Sequence, residues 1–341
     1  MRSSSSNSIA AKGRDQVDGV LNIDKPRDWT SHDVVDHVRR LTRIRRVGHA
    51  GTLDPLATGV LLLALGNGTK LTPFLHECPK TYRATLRLGV RTDSYDAAGK
   101  VIAVRAVEAI DRARVETALM AFRGPIAQVP PMYSALKRQG QRLYHLARQG
   151  LDVDRPSRRV HIFRLSLLDL SAETLSLEVE CSSGTYIRVL ADDIGTALGC
   201  GAHLATLVRT AIGSFRLAQA LPLPALDDAA RQGNWQRHVM ALSAAVAAFP
   251  ALVVTSATAQ RLAHGMPPTR QGIARVVGTF QAEETVAIFS REGVLLAMGS
   301  ATCSSAEWGQ LRPDAPILQL RRVFRDSGSI AEGGGVGGNV L

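Results

Sequence analysis

Residues 48–61 run Gly48-His49-Ala50-Gly51-Thr52-Leu53-Asp54-Pro55-Leu56-Ala57-Thr58-Gly59-Val60-Leu61. Asp54 is the only acid between Val47 and Leu75. An ionised carboxylate among glycine, alanine and leucine needs a pairing charge or a use. Two interpretations stand side by side. Asp followed by Pro and an apolar run is a helix start, with Asp54 as N-cap and Pro55 at the first helical position. Gly48, Gly51 and Thr52 instead describe a backbone that passes close to another group.

Upstream, Gly19 to Ile23 is a short apolar run stopped by Lys25-Pro26, because Pro26 disfavours a helical Lys25. Thr30, with Asp33 three residues on, predicts a capped helix whose apolar stripe is Val34, Val38 and Leu41. That helix leads into Arg39, Arg40, Arg43, Arg45 and Arg46 with no intervening acid. Cations complement a helix C-terminus with or without a ligand, but five of them beside the Gly48 stretch also suit phosphate.

Downstream, the apolar density of Leu61 to Leu75 predicts a largely buried helix followed by a loop. Tyr82 to Leu88 alternates as a strand, with Tyr82, Ala84, Leu86 and Leu88 facing inward. A helix is expected over Arg112 to Phe122, and a proline-stiffened loop from Gln128 to Lys137 leads into a basic helical stretch ending at Arg148. Strands at Val160–Leu168 and Leu175–Cys181 precede a helix from Thr185 to Leu198. Ala220 to Phe249 is alanine-rich and predicted helical. Beyond Pro250 come short strands, a helix closed by Gly265 and a hairpin turn at Arg291-Glu292-Gly293. The expected division is a disordered tail (1–17), a catalytic domain (18–250), a second domain (251–325) and a disordered Gly-rich tail (326–341).

Composition narrows the partner class. The 341 residues carry a formal net charge of +11, and the excess is mainly arginine. Nucleic acid is the leading partner on that charge. The four cysteines (Cys78, Cys181, Cys200, Cys303) form no C-x-x-C pair, which argues against structural zinc and a disulfide framework and suits reduced thiols in a cytosolic protein. No apolar run reaches the length of a membrane span. Gly66-Asn67-Gly68-Thr69-Lys70 lacks the order of a phosphate-binding P-loop, and neither G-x-S-x-G nor H-E-x-x-H occurs.

Two further residues qualify as partners for Asp54. Arg188 falls in the first turn of the helix beginning near Thr185, where the dipole disfavours a cation. It therefore wants an anion, which Asp192 supplies four residues on, or a phosphate, or Asp54. Tyr82, inward at its strand start, is either a core residue or a platform for an extruded base. Lys25 and His49 carry little signal alone.

Lys25-Pro26, the Gly48 to Leu61 block, Lys80 to Arg83, Arg91-Thr92-Asp93 with Asp96, Pro131 to Lys137, Cys181 to Arg188 and Gly199 to Leu207 occur in an order and spacing that resembles the bacterial TruB-type tRNA pseudouridine-55 synthases. The likeness covers roughly Gly19 to Leu217. The resemblance implies an α+β fold: a mixed, largely antiparallel sheet flanked by helices, with a small C-terminal β-rich, PUA-like RNA-binding domain. It implies isomerisation of one T-loop uridine without cofactor or metal, by a monomeric cytoplasmic enzyme acting on tRNA with no obligate protein partner. Within it Asp54 is the nucleophile, Arg188 its ionic partner and Tyr82 the stacking residue. Lys25, His49, Tyr186 and Leu207 bind substrate, and Arg45 and Arg46 contact RNA. Ser183 departs from the lysine common at that place in the family. Two rival functions are an RNA-folding module with secondary catalysis and a dyskerin-type, guide-RNA-dependent synthase.

Overall fold

The computed structural model describes residues 17–134, 137–138, 140–151 and 153–324. The two expected tails lie outside the described residues, Val17 apart, as do Ala135 and Leu136 of the proline-stiffened loop. Two compact units divide between Val239 and Met240, about ten residues before the expected boundary at Pro250.

The larger unit is built on one mixed sheet. Its strand order is Leu221–Pro222, Gly19–Lys25, Thr58–Leu65, Ala202–Ile212, Lys80–Leu88, Thr174–Cys181, Arg158–Leu170 and Gly124–Gln128. Every neighbouring pair is antiparallel except the Leu221–Pro222 edge and the join between Thr58–Leu65 and Ala202–Ile212. That parallel join is short, pairing Val208 with Thr58 and Arg209 with Gly59. It brings the start of one strand, and the loop before it, against the middle of another.

The stretch after the opening motif corrects two expectations. Thr58–Leu65 is a strand, followed by a 3-10 turn (Gly66–Leu71) and a short helix (Thr72–Glu77). It pairs with Gly19–Lys25 and with Val47–Ala50 as well as with the parallel neighbour. Every residue from Gly59 to Leu65 is buried. A strand covered on both faces reads as a continuous apolar run, and periodicity cannot separate it from a buried helix. Asp54 therefore caps no helix. Its carbonyl instead accepts a hydrogen bond from Ala57 N at 3.0 Å, closing a tight turn over Pro55-Leu56.

Other expectations hold. Helix Ser31–Thr42 starts on a reciprocal capping box between Thr30 and Asp33 and ends at Arg43 in the left-handed region (φ 60°). Val34 and Val38 are fully buried on its inner stripe. In Lys80–Leu88 the alternating Tyr82, Ala84, Leu86 and Leu88 face the core, where they join Ile187, Leu190 and Ile194 of helix Ile187–Ala197. Tyr82 thus stands on the sheet face covered by the helix that carries Arg188.

The alanine-rich region corrects a third expectation. Instead of one helical stretch it holds helix Leu223–Arg231, a 3-10 turn at Trp235–His238 and a single turn at Leu242–Ala245. Gly233 breaks the run with a left-handed φ of 72°.

The smaller unit holds a five-stranded sheet ordered Ile273–Val277, Ala251–Val254, Thr285–Phe289, Leu295–Ala301 and Leu318–Val323. Helix Ser256–Ala263, capped by Thr255, packs Leu262 into a core with Leu252, Val254 and Ile288.

Gly59 decides how closely the parallel join can approach. Its φ is +99°, and a Cβ there would lie 2.3 Å from the Arg209 carbonyl oxygen. Gly59→Ala is expected to destabilise the protein by at least about 2 kcal/mol, through backbone strain and the clash together. Urea unfolding would read this as a lower midpoint at unchanged slope. An unaltered midpoint would mean that the join can open at no cost.

Candidate active site

The loop Gly51–Ala57 is fixed through its own backbone. Arg209 Nη2 donates to Gly51 O at 2.9 Å and Nη1 to Thr52 O at 3.4 Å. Ser31 Oγ donates to Leu53 O (3.1 Å) and accepts from Leu53 N (2.8 Å). Pro55 O accepts from Asp28 N (2.8 Å) and Lys25 Nζ (3.3 Å). With Ala57 N on Asp54 O, each carbonyl from Gly51 to Pro55 has a donor. A backbone satisfied in this way has one arrangement, which presents the Asp54 side chain outward, 37% exposed, at the mouth of a cleft.

That cleft has a volume of about 330 Å³. Asp54, Tyr82, Tyr186, Arg188 and Leu207 all line it, so five of the nine sequence-predicted site residues meet in one place. Lys80, Arg158 and Arg209, which the sequence did not single out, line it too.

Arg188 settles its own choice of anion. The local candidate, Asp192, is held bidentately by Arg91, with Nε and Nη2 each 2.8 Å from a carboxylate oxygen. Arg188 turns the other way. Its guanidinium lies 3.5 Å from Asp54 Oδ2 and 3.6 Å from Asp96 Oδ2, and Nη2 donates to Tyr133 O at 2.6 Å. The two carboxylate contacts are ion pairs rather than hydrogen bonds at those distances. Arg188 and Asp96 are almost completely buried, whereas Asp54 keeps access to the cleft. Asp96 is itself pinned by Ser94 Oγ (2.6 Å) and Ala98 N (3.0 Å). A cation held from behind by a fixed carboxylate presents its remaining side to Asp54.

Tyr82 stands on the cleft wall, 8% exposed. Burial pushes its phenol pKa up, while the Arg209 cation, its cross-strand partner, works the other way. Tyr186 N donates to Gln128 Oε1 at 3.0 Å, and Gln128 Nε2 donates back to Tyr186 O at 3.3 Å. This clamp holds Tyr186 immediately ahead of its helix, with the Arg188 guanidinium carbon 5.9 Å from its ring centre.

The other predicted residues lie elsewhere. Lys25 does not line the cleft. It is fully buried, and Nζ donates to Pro26 O (2.8 Å), Trp29 O (2.5 Å) and Pro55 O (3.3 Å). Burial lowers its pKa to about 8. Its three donors all go to carbonyls, so Lys25 ties the strand end to the turn after it and to the Asp54 loop. His49 sits on strand Val47–Ala50 outside the cleft lining, with Nδ1 buried and unpartnered among the described residues. Arg45 lines an open depression with Arg39, Arg40 and Arg43, and Arg46 is exposed beside it. Arg39 is engaged by Asp36 (3.0 Å) and Val47 O (2.7 Å).

A family model described as the N-terminal domain of the TruB family of pseudouridylate synthases matches residues 39–187. A second, described as the tRNA pseudouridylate synthase B C-terminal domain, matches residues 188–247. The chain is 41% identical over 308 residues to the tRNA pseudouridine synthase B of Geobacter sulfurreducens, covering 90% of this chain and all of that protein. It is 48% identical over 252 residues to the protein of the same name from Dechloromonas aromatica, covering 74% and 84% of the two chains. The chain belongs to the TruB family. It is a pseudouridine synthase, an isomerase acting on uridine. Among solved structures, a Cbf5-Nop10-Gar1 complex holds a chain that superposes with a TM-score of 0.74 at 27% identity, covering 90% of this chain and 85% of that one. The TruB match joins the blocks bearing Asp54, Tyr82 and Arg188, the three side chains that the fold brings to the cleft.

Asp96 falls within a family-like block but had no role in the sequence. Arg209 could have been found there, since it lies between buried Leu207 and Ala211 on the inner face of Ala202–Ile212. A charge on the inward phase of an alternating strand is a signal.

Burial, with repulsion from Arg209, His32 and His76, lowers the His49 pKa to about 4. The unfolded chain therefore binds a proton between pH 6.5 and about 4 that the folded chain refuses. The stability associated with neutral His49 is complete above pH 6.5 and is lost as pH falls toward 4. His49→Gln is expected to flatten the decline in urea midpoint across that window. Superimposable acid limbs for wild type and variant would overturn the assignment.

Proposed function

We propose that this chain converts the uridine at position 55, in the TΨC loop of tRNA, to pseudouridine, with Asp54 as nucleophile. The observation that carries this reading is Arg188: a buried cation, held from behind by Asp96, aimed at the one carboxylate that keeps access to the cleft. That arrangement favours an ionised, oriented Asp54. In the reaction the N1–C1′ bond breaks, the uracil turns, C5 bonds to C1′, the C5 proton leaves, N1 takes up a proton and the Asp54 carboxylate is released. Asp54 attacks either C1′ of the sugar or C6 of the base. The overall change is a redox-neutral isomerisation, and the steps proposed for it use side chains alone, without cofactor or metal.

A base inside a stem or stacked loop is out of reach, so the uridine is extruded into the cleft. Tyr82 stacks on it and its hydroxyl assists proton transfer, while Tyr186 and Leu207 form the wall. His49 faces the loop vacated by the base, and Lys25 contributes by holding the Asp54 loop through Pro55. Arg45 and Arg46 contact phosphate, and the unit beyond Met240 acts as a PUA-like grip on the T-arm, read by shape and backbone. The working form is a cytoplasmic monomer with no obligate protein partner. The superposition with the Cbf5-containing complex gives the guide-RNA-dependent alternative its one point of support. Turnover of a bare T-arm hairpin by the purified chain is expected and would exclude that alternative.

Asp54→Asn should fold, bind tRNA with affinity close to wild type, and release no tritium above background from 5-³H-uridine tRNA. Normal turnover by that variant would sink the proposal. Retained biological function with zero isomerisation would favour an RNA-folding role.

Phosphate contacts make affinity fall with salt, by roughly 0.7–0.9 in log–log slope for each contact. Arg45→Gln/Arg46→Gln is therefore expected to flatten the slope by about 1.5. A double variant with the wild-type slope would remove these arginines from the interface.

A further inference from the structure

Arg209 heads the largest fully buried side chains, at 1% exposure, and its hydrogen bonds go to carbonyls rather than to a carboxylate. Stability alone does not explain an arginine there. An apolar side chain of similar volume would fill the same space without desolvating a charge. What the guanidinium adds is direction. Nε donates to Val60 O at 2.7 Å, Nη2 to Gly51 O at 2.9 Å and Nη1 to Thr52 O at 3.4 Å, and Arg209 is the cross-strand partner of Tyr82, with which it lines the cleft. Those contacts span the two sides of the Asp54 loop and the strand that bears Tyr82.

We propose that Arg209 is a positioning residue for the isomerisation, tying the Asp54 loop to the strand position opposite Tyr82 so that Asp54 and Tyr82 keep one spacing across the cleft. The inference rests on the isomerase role assigned to that cleft. Three features of the site support it. Gly51, whose carbonyl takes the Nη2 bond, holds a left-handed φ of +91°, and a Cβ built there would lie 3.5 Å from Nη1, in ordinary contact. Gly59 is backed directly against the Arg209 backbone, so the guanidinium starts from a fixed point. Arg209 pairs directly with Tyr82 across their two strands, and both side chains line the cleft. Lysine cannot reproduce the set, because its donors share one nitrogen whereas the guanidinium spreads five over a planar fork.

The test separates positioning from folding. Arg209→Lys and Arg209→Met, each checked for cooperative unfolding, would be assayed for T-arm RNA affinity and for single-turnover tritium release at saturating enzyme. The expected result is a rate lower by ~100-fold or more, as for a misplacement of about 1 Å, with a Kd within roughly threefold of wild type. A rate within threefold of wild type would overturn the proposal. So would a loss of affinity equal to the loss of rate, which a merely structural residue produces. If neither variant folds, the natural arginine decides: the ¹⁵N guanidinium resonances of Arg209 should shift in Tyr82→Phe, and unmoved resonances overturn the proposal. Failure of the underlying assignment looks different, since wild type would then release no tritium.

Discussion

Five consecutive carbonyls, Gly51 to Pro55, each turn toward a donor supplied by another part of the chain or by the turn itself. The site depends on this constraint. A loop with unsatisfied inward carbonyls would rearrange toward water, and a loop satisfied by Arg209, Ser31, Asp28, Lys25 and Ala57 cannot do so without breaking several bonds together. The donors come from the strand Ala202–Ile212, the start of helix Ser31–Thr42 and the strand Gly19–Lys25 with the turn after it. Sheet and helix therefore specify the loop, and the loop specifies where a single carboxylate faces.

Electrostatics divides the buried cations into two kinds. Lys25, Lys80 and Arg209 are enclosed and hydrogen-bonded to carbonyls, and burial pushes the pKa of each downward. They act as multi-armed donors where one residue must satisfy several carbonyls. Arg188 alone stands between two carboxylates, and only one of these can reach the cleft. A buried ion pair is weak evidence for stability, since desolvation offsets most of the attraction. An arginine whose counter-ions are one sealed and one open carboxylate makes better sense as a device for orienting the open one.

Much of the architecture was legible. Alternation marks the Tyr82 strand and its inner face, the Thr30–Asp33 pair marks a helix start, and the Arg291-Glu292-Gly293 turn marks the hairpin that joins Thr285–Phe289 to Leu295–Ala301. The failures have two causes: reliance on apolar density in both segments concerned, and neglect of Gly233 as a breaker in the alanine-rich region. Thr58–Leu65 and the alanine-rich region were read from local apolar density, and density does not say how many neighbours a segment has. A strand paired on both sides and a buried helix hide the same residues. The helix-cap interpretation of Asp54 fell with the first of these errors, because without a helix after Pro55 there are no free amides to cap.

The amino-acid sequence by itself determined the chemical cast: an isolated carboxylate, an arginine in an unfavourable helix position, an inward tyrosine, and motif blocks in an order shared with a family of RNA-modifying enzymes. It determined these because residue type and periodicity are local properties. Tertiary structure alone decided who meets whom. Asp192 was as well spaced for Arg188 as any residue on its helix, until Arg91, a hundred residues away in the chain, took both of its oxygens. Arg209 reaches the Asp54 loop only because one short parallel pairing sets Gly59 against its backbone. Such choices depend on distances between segments remote in sequence, which no local pattern encodes.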